Sequence, residues 1–243
     1  LDAVVIKGAL GSRPSLELPE GPIWVNTDVS RVIDPGTGTP LAVGDLAVLE
    51  ESYFYSDGTD AGANSSTWAV TDESKTGAVA LEIVGASGTP DAITTSLTSL
   101  GEGGRMIAAT KMAKATYLVV WDVVGVLHPA DVAAGTPVTS TDSTLPTVRW
   151  STDTGLPAVV LPSSFTDPTS LVVQPLIEGS GPAVSSGQTL FVRFASWLTD
   201  GSSVDSNWST TTGTLLSPDN MVEGLKSGLA GQKVGSRVLL VIP

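Results

Sequence analysis

The sequence predicts an α+β chain built from two β-rich units. Three observations carry that expectation: the length of 243 residues, a composition rich in strand and turn formers, and an internal repeat. A chain of this length suits two domains of about 100 to 150 residues each. Only 15% of residues are charged and 41% are hydrophobic, with 26 glycines and 16 prolines, a balance that favours short strands and turns over long helices.

The repeat sets the order of elements. Pro14, Leu18, Pro19, Val29, Gly36, Gly38, Gly44, Asp57 and Gly58 recur as Pro157, Leu161, Pro162, Val172, Gly179, Gly181, Gly187, Asp200 and Gly201, each pair 143 positions apart and without a gap. A Pro-containing edge segment leads each copy, and a strand follows that ends in "DPGTG" or "EGSGP". A turn at Gly44 or Gly187 opens the next strand, which closes at Asp-Gly, where glycine supplies the positive φ of a tight turn. The registers then drift, yet "NSSTW" (64–68) still resembles "DSNW" (205–208).

One short helical window follows in each copy, "DAITTSLTSLGEGGR" (91–105) and "DNMVEGLKSGLAGQKVGSR" (219–237). In the second, Met221, Val222, Leu225 and Leu229 share one helical face, Asp219 or Asn220 is the expected N-cap, and the glycines after Leu229 end the helix. Strands "RMIAATKM" and "TYLVVWDVVGVL" complete copy 1, and "RVLLVIP" completes copy 2. Residues 129–145, "PADVAAGTPVTSTDSTL", break the composition and read as a linker or surface crossing between units 1–128 and 146–243.

Charge and cysteine content narrow the function classes. Acidic residues outnumber basic ones 25 to 12, and a net charge of −13 repels phosphate backbones and anionic lipid heads. Nucleic acid is therefore not an expected partner. Zero cysteines remove disulfides, thiolate nucleophiles and Cys-based zinc sites, and mildly favour an exported protein. No apolar run approaches the ~18 residues of a membrane helix, and Leu1–Leu10 lacks a basic region followed by an apolar core. The expected setting is extracellular or in the cell envelope, compatible with a lipoprotein whose anchor has been removed. Phosphate loops, Walker lysines and dinucleotide fingerprints are absent from the sequence.

The stretches "EGSGPAVSSGQTLFVRFASWLTDGSSVDSNW" and "MVEGLKSGLAGQKVGSRVLLVIP" resemble FKBP-type peptidyl-prolyl cis-trans isomerases in both motif and spacing. The likeness runs over about residues 171–243, and more weakly from about Val29 to Val126. Tandem units of this kind resemble those of exported actinobacterial proteins. The resemblance implies two FKBP-like domains, each a twisted antiparallel β-sheet wrapped around a short α-helix. An apolar pocket for proline-containing polypeptides, and weakly for macrolides, is implied between helix and sheet. Neither metal nor other cofactor is implied.

Carried over position by position, the resemblance puts Phe194 where the family has Tyr, Val204 where it has Phe, and Asp205 at the acid on the pocket rim. Met221 and Val222 match the Val-Ile pair that meets substrate, Leu225 replaces the Trp of the pocket floor, and Trp208 lies beside the rim. Lost aromatic walls imply a wider pocket and weak activity. Copy 1 departs further, with Glu51, Ala63, Asn64 and Ile93 at the Tyr, Phe, Asp and Trp positions, and is expected to be inactive. The family continues past Ile-Pro with a loop and a final strand, so either residues are missing from this sequence or the loops are absent, and only if the last strand is absent does an exposed sheet edge remain.

Plainer readings stand beside these. Asp205 also reads as a turn-forming residue after a strand, and Trp68 and Trp208 as packing residues. The sole histidine, His128, reads as a solvated surface residue. "SDGTDAGANSS" (56–66) lacks the spacing of a calcium loop and reads as a polar hairpin. Asn64-Ser65-Ser66 and Asn207-Trp208-Ser209 are glycosylation sequons by pattern.

Overall fold

The computed structural model describes residues 1–18, 20–62, 67, 79–85, 91–129, 132–140, 142–152, 156–208 and 213–243. It divides the chain into two compact units, Leu1–Pro129 and Ala130–Pro243. Trp68, Ala63, Asn64 and the sequon at Asn64 lie outside the described residues.

In the N-terminal unit the strands are β1 (Val5–Lys7), β2 (Ser15–Glu17), β3 (Val29–Asp34), β4 (Leu46–Tyr55) and β5 (Ala80–Ile83). Helix α1 (Ala92–Leu97) comes next, then β6 (Arg105–Met112) and β7 (Ala115–Leu127). The last five strands form one antiparallel sheet in the order β3-β6-β7-β4-β5. Alternation along β4 sends Ala47 and Leu49 to one face and Phe54 to the other. The first face packs Leu97 and Leu100 from the helix region against Leu49, Met106, Val119 and Val123. The second packs Phe54, Ile107, Leu118 and Val120 against Val4, Ile6, Leu16 and Leu18 of the β1–β2 hairpin. Both faces are therefore covered, which explains why β7 reads as a near-continuous Val-rich run rather than an alternating one.

One charged pair is enclosed in this unit. Arg105 and Asp122 sit opposite each other on β6 and β7, and the guanidinium donates from Nε to Oδ1 at 2.5 Å and from Nη2 to Oδ2 at 2.6 Å. Arg105 also donates to the carbonyls of Gly8 and Ala9, tying the N-terminal hairpin to the sheet.

The C-terminal unit begins with β8 (Gly135–Pro137), β9 (Thr147–Trp150), β10 (Pro157–Val160) and β11 (Val172–Gly179). Then come β12 (Leu190–Val192), β13 (Ala195–Trp197), β14 (Ser203–Ser206), β15 (Thr214–Leu216), α2 (Glu223–Leu229) and β16 (Arg237–Val241). A three-stranded antiparallel sheet runs β16-β11-β8, while β9–β10, β12–β15 and β13–β14 pair as separate two-stranded ribbons.

Several sequence expectations are corrected here. Residues 129–145, read as a linker, supply β8, which pairs Pro137 with Ile177 and Gly135 with Gly179; a sheet edge tolerates the proline that made this stretch look like a loop. The helical windows shrink to six and seven residues, ending at the C-cap residues Thr98 and Ala230. Asp219 and Asn220 belong to a 3₁₀ turn begun by Pro218, and Val222 is the N-cap residue of α2 without a side-chain cap. His128 is exposed, as expected, and its Nδ1 lies 2.7 Å from Oδ1 of Asp45. Asp91 does cap α1, accepting from the Thr94 N–H at 2.6 Å. Among the described residues no helix is long and apolar enough to cross a membrane.

Local contacts recur at the repeat's offset. Asp57 accepts from the N–H and hydroxyl of Thr59, and Asp200 from those of Ser202. Asp45 holds the N–H of Ala42, and Gln188 that of Ser185, both at 2.7 Å. Register shifts fall between Val32 and Asp34 on β3 and between Pro175 and Ile177 on β11. At Gly36 an added Cβ would lie 2.6 Å from the Gly104 nitrogen, and at Gly179 one would lie 2.3 Å from the Val234 carbonyl, so both turns admit glycine only.

Candidate functional site

The site residues predicted in the C-terminal unit are carried by three pieces of structure. Phe194 stands in the break between β12 and β13, Val204 and Asp205 lie on β14, and Met221, Val222 and Leu225 lead into and along α2. The break exists because Asn207 reaches into it. Its Oδ1 accepts from the Phe194 N–H at 2.8 Å, its Nδ2 donates to the Val192 carbonyl and to Thr214 Oγ1, both at 3.0 Å, and its own N–H donates to the Phe194 carbonyl at 3.1 Å. One buried amide thus holds the β12–β15 and β13–β14 ribbons at a fixed relation around Phe194. The sequon reading at Asn207 therefore meets a nitrogen already engaged inside the protein.

Asp205 is solvent-exposed, pairs with Ser196 across the ribbon, and accepts from the N–H of Ser206 at 2.8 Å. Asp205 thus sits within strand β14 and bonds only to the adjacent N–H, not in the turn after a strand that the plainer reading describes. Val204 and Val222 are each 60% exposed, while Phe194, Met221 and Leu225 are half-buried. The expected dry niche is thus open to water on two of its walls. Among the described residues β13–β14 pairs only within itself, and Val222 is the N-cap residue of the helix. Among the described residues no hydrogen bond or ring contact joins the β13–β14 ribbon to the start of α2.

Trp208, which the resemblance puts beside the rim and the plainer reading makes a packing residue, packs. Its ring meets Trp150 edge-on at 4.8 Å, and the guanidinium of Arg193 lies 4.6 Å from its centre. Arg237 in turn lies 4.3 Å from the centre of Trp150. Alternation along β16 puts Arg237 on one face and Leu240 on the other, where Leu240 meets Gly228 of α2. The tryptophan ladder therefore backs the sheet on the side away from the helix. Sequence reasoning missed Asn207, Arg193, Trp150 and Arg237; the only signal was the repeat itself, which aligns Thr67 with Asn207.

The N-terminal unit repeats the arrangement with different chemistry. The Glu51 N–H donates to Thr67 Oγ1 at 3.0 Å and the Thr67 N–H to the Glu51 carbonyl at 3.1 Å, as Phe194 and Asn207 do. Where Phe194 offers a ring, Glu51 offers a carboxylate that accepts from Trp121 Nε1 at 2.8 Å. Burial pushes the Glu51 carboxyl above its ordinary pKa, and the Trp121 bond only partly offsets this. Glu82 is raised by burial and by the charges of Glu51 and Asp91. Burial and these two glutamates push Tyr53 up to about 12. Ile93 packs on the helix-side core instead of flooring a pocket. A cavity of about 320 Å³ does open in this unit, but between Leu1–Val4 and Leu18–Ile23, away from Glu51.

The sign of the pH effect follows. A carboxyl whose folded pKa lies above its unfolded value disfavours the folded state once ionised, so stability falls as pH climbs through the window above 4.5. Glu51→Gln or Glu82→Gln is expected to raise the Tm of the N-terminal unit at pH 7 and to leave it nearly unchanged at pH 4, read by calorimetry at both values. Tyr53 adds a further loss as pH rises from 10 towards about 12.

The ordering of β12, the Asn207 brace, α2 and β16 can now be set beside known proteins. Residues 181–243 match the family model of FKBP-type peptidyl-prolyl cis-trans isomerases. FKBP-type relatives agree over the same scale. "FK506-binding protein 4" of Dictyostelium discoideum is 33% identical over 81 residues, which are 33% of this chain and 22% of that protein. "FK506-binding protein" of Streptomyces anulatus is 32% identical over 79 residues, which are 31% of this chain and 64% of that one. The matched stretch thus spans less than two thirds of either relative's length. Among solved structures, FkpA from Escherichia coli aligns at 17% identity and a TM-score of 0.30, covering 41% of this chain and 48% of that one. The three FKBP domains of wheat FKBP73 align at 13% identity and 0.29, covering 88% of this chain and 80% of that one. Residues 181–243 are thus similar in sequence to FKBP-type proteins, and the described part of the C-terminal unit is mostly antiparallel sheet with few helices.

Among the described residues no group of three or more histidine, cysteine, aspartate or glutamate side chains is arranged to hold a metal ion.

Proposed function

We propose that the C-terminal unit, Ala130–Pro243, is a peptidyl-prolyl cis-trans isomerase of low activity or a folding helper for proline-containing polypeptides. The family match over residues 181–243 carries this reading. Rotation about an X-Pro bond meets a barrier of about 18 to 20 kcal/mol set by amide resonance, and no covalent bond is made or broken. A site need only prefer the twisted imide, which an apolar surface does by removing water from a group that has lost its resonance. Phe194, Met221 and Leu225 offer that surface, with Val222 and Val204 at its margins and Asp205 at its rim. The exposure of Val204 and Val222 supports low activity.

The N-terminal unit is proposed as a degenerate copy of the same layout, inactive because Glu51 puts a carboxylate where the ring should be. Export to the cell envelope or exterior of an actinobacterium, and weak binding of macrolides, belong to the same proposal and rest on the sequence resemblance. The second reading, a non-catalytic peptide-binding module, is favoured by the open walls of the site. A protease-coupled X-Pro peptide assay on the full chain separates the two. The isomerase reading expects rate enhancement that falls about tenfold or more in Phe194→Ala. Peptide binding with no enhancement gives the second reading, and a Phe194→Ala rate equal to wild type removes the residue from the site.

A further inference from the structure

On the N-terminal sheet, the face turned towards α1 gathers aromatic rings and carboxylates. Strand β4 brings Glu51, Tyr53 and Tyr55 to it at alternate positions, and β7 brings Trp121 opposite Glu51 and Tyr117 opposite Tyr55. All three tyrosines of the chain therefore stand on one sheet face. The rings of Tyr55 and Tyr117 lie 5.7 Å apart, and Trp121 Nε1 donates to Glu51 Oε1 at 2.8 Å. Glu51, Tyr53 and Tyr117 are half-buried and Tyr55 is 47% exposed, so this face opens to solvent at the tyrosine end.

Charge is sorted between the two faces of the sheet. Arg31, Arg105 and Lys111 fall in line with Ile107 and Ala109, on the side covered by the β1–β2 hairpin. Glu51 and Glu82 fall on the helix side, where Glu82 lies opposite Ala47 and Asp91 heads α1. Among the described residues of β3 to β7 and α1, no lysine or arginine falls on that side. After burial, the charge of Glu51 is the next cause that raises both Glu82 and Tyr53, so these groups act on one another across the face. A cation placed among them offsets that repulsion together with the desolvation of Glu51.

We propose that the helix-side face of the N-terminal sheet binds an arginine side chain of a partner polypeptide, its guanidinium stacked on the tyrosine rings and donating to Glu51 and Glu82. Arginine suits the face better than lysine. Its planar head stacks on an aromatic ring, offers a fork of donors to carboxylates, and is more weakly hydrated than an ammonium, as a half-buried site requires. Trp121 acts as a positioning residue by holding the Glu51 carboxylate. The site makes use of the same replacement, Glu51 in the place of Phe194, that sets the N-terminal unit apart from proline binding. It requires no rotation of an X-Pro bond, so it stands whether or not the C-terminal unit is an isomerase.

The test uses the full isotopically labelled chain and a proline-free peptide, acetyl-Gly-Ala-Arg-Ala-Gly-amide, set against the same peptide with citrulline for arginine, which keeps the shape and loses the charge. The arginine peptide is expected to shift the indole N–H of Trp121 and the amides of Glu51, Tyr53 and Glu82. Binding about tenfold weaker is expected for the citrulline peptide, and for the arginine peptide with Glu51→Gln, which keeps an acceptor for Trp121. Because citrulline alters the peptide alone, a folding defect cannot imitate its effect. Equal binding of the two peptides overturns the proposal. So do shifts spread over exposed carboxylates such as Glu17 and Glu178 with Trp121 unmoved, which mark general attraction to an acidic chain, and shifts centred on Phe194 and Met221, which assign the peptide to the C-terminal unit.

Discussion

Arg105→Ala is expected to destabilise the N-terminal unit by about 3 to 5 kcal/mol, enough to unfold it near or below body temperature. The reason is what the substitution leaves behind. Asp122 is 3% exposed and lies opposite Glu50, itself buried, so without the guanidinium its charge has neither water nor cation beside it. The carbonyls of Gly8 and Ala9 lose their donors in the same step, and the hairpin that covers Phe54 and Ile107 loses its tie to the sheet. Calorimetry or urea unfolding reads the change. A double variant, Arg105→Met with Asp122→Leu, is expected to recover much of the loss, because two apolar side chains in a covered site leave no charge unpaired. A double variant no better than the single would mean that the tie to Gly8 and Ala9 dominates.

Asn207→Ala is expected to cost the C-terminal unit about 2 to 4 kcal/mol and to abolish whatever activity the Phe194 surface has. Removing the amide leaves the Phe194 N–H and the Val192 carbonyl without partners in the structure, and it frees the β13–β14 ribbon from β12–β15. Asn207→Thr, the residue found at the matching place in the N-terminal unit, keeps an acceptor for the Phe194 N–H and should lose about half as much. Amide exchange at Phe194 gives a local reading: it accelerates in Asn207→Ala and changes little in Asn207→Thr.

Much of the fold was legible because its strands announce themselves by pattern. The 143-residue offset, the strand ends at Gly36 and Gly179, and the runs Arg105–Met112, Ala115–Leu127 and Arg237–Val241 were all readable from local residue types. The rest depended on register, which local pattern does not encode. Arg105 and Asp122 meet because two strands pair in one alignment, and a shift of one residue would send their side chains to opposite faces. The ladder of Arg193, Trp208, Trp150 and Arg237 joins residues from distant segments, so a packing role for Trp208 was readable but its partners were not. Gly135–Pro137 read as linker because its composition is that of a loop, while its pairing depends on the free edge of β11.

The site was legible in part. Position matching brought Phe194 and Glu51 to equivalent places, and the hydrogen bonds of Asn207 and Thr67 agree with that alignment. What position matching could not supply was exposure. Val204, Asp205 and Val222 occupy the expected positions in sequence, yet stand open to solvent; among the described residues the β13–β14 ribbon pairs only within itself.

Titration of the isotopically labelled chain with a short X-Pro peptide, followed by amide chemical shifts, tests the central claim most directly. Shifts concentrated at Phe194, Asp205, Met221, Val222 and Leu225, with Glu51 and Ile93 unmoved, are the predicted result. Unmoved amides throughout residues 190–243, or changes centred on the N-terminal unit, would contradict it.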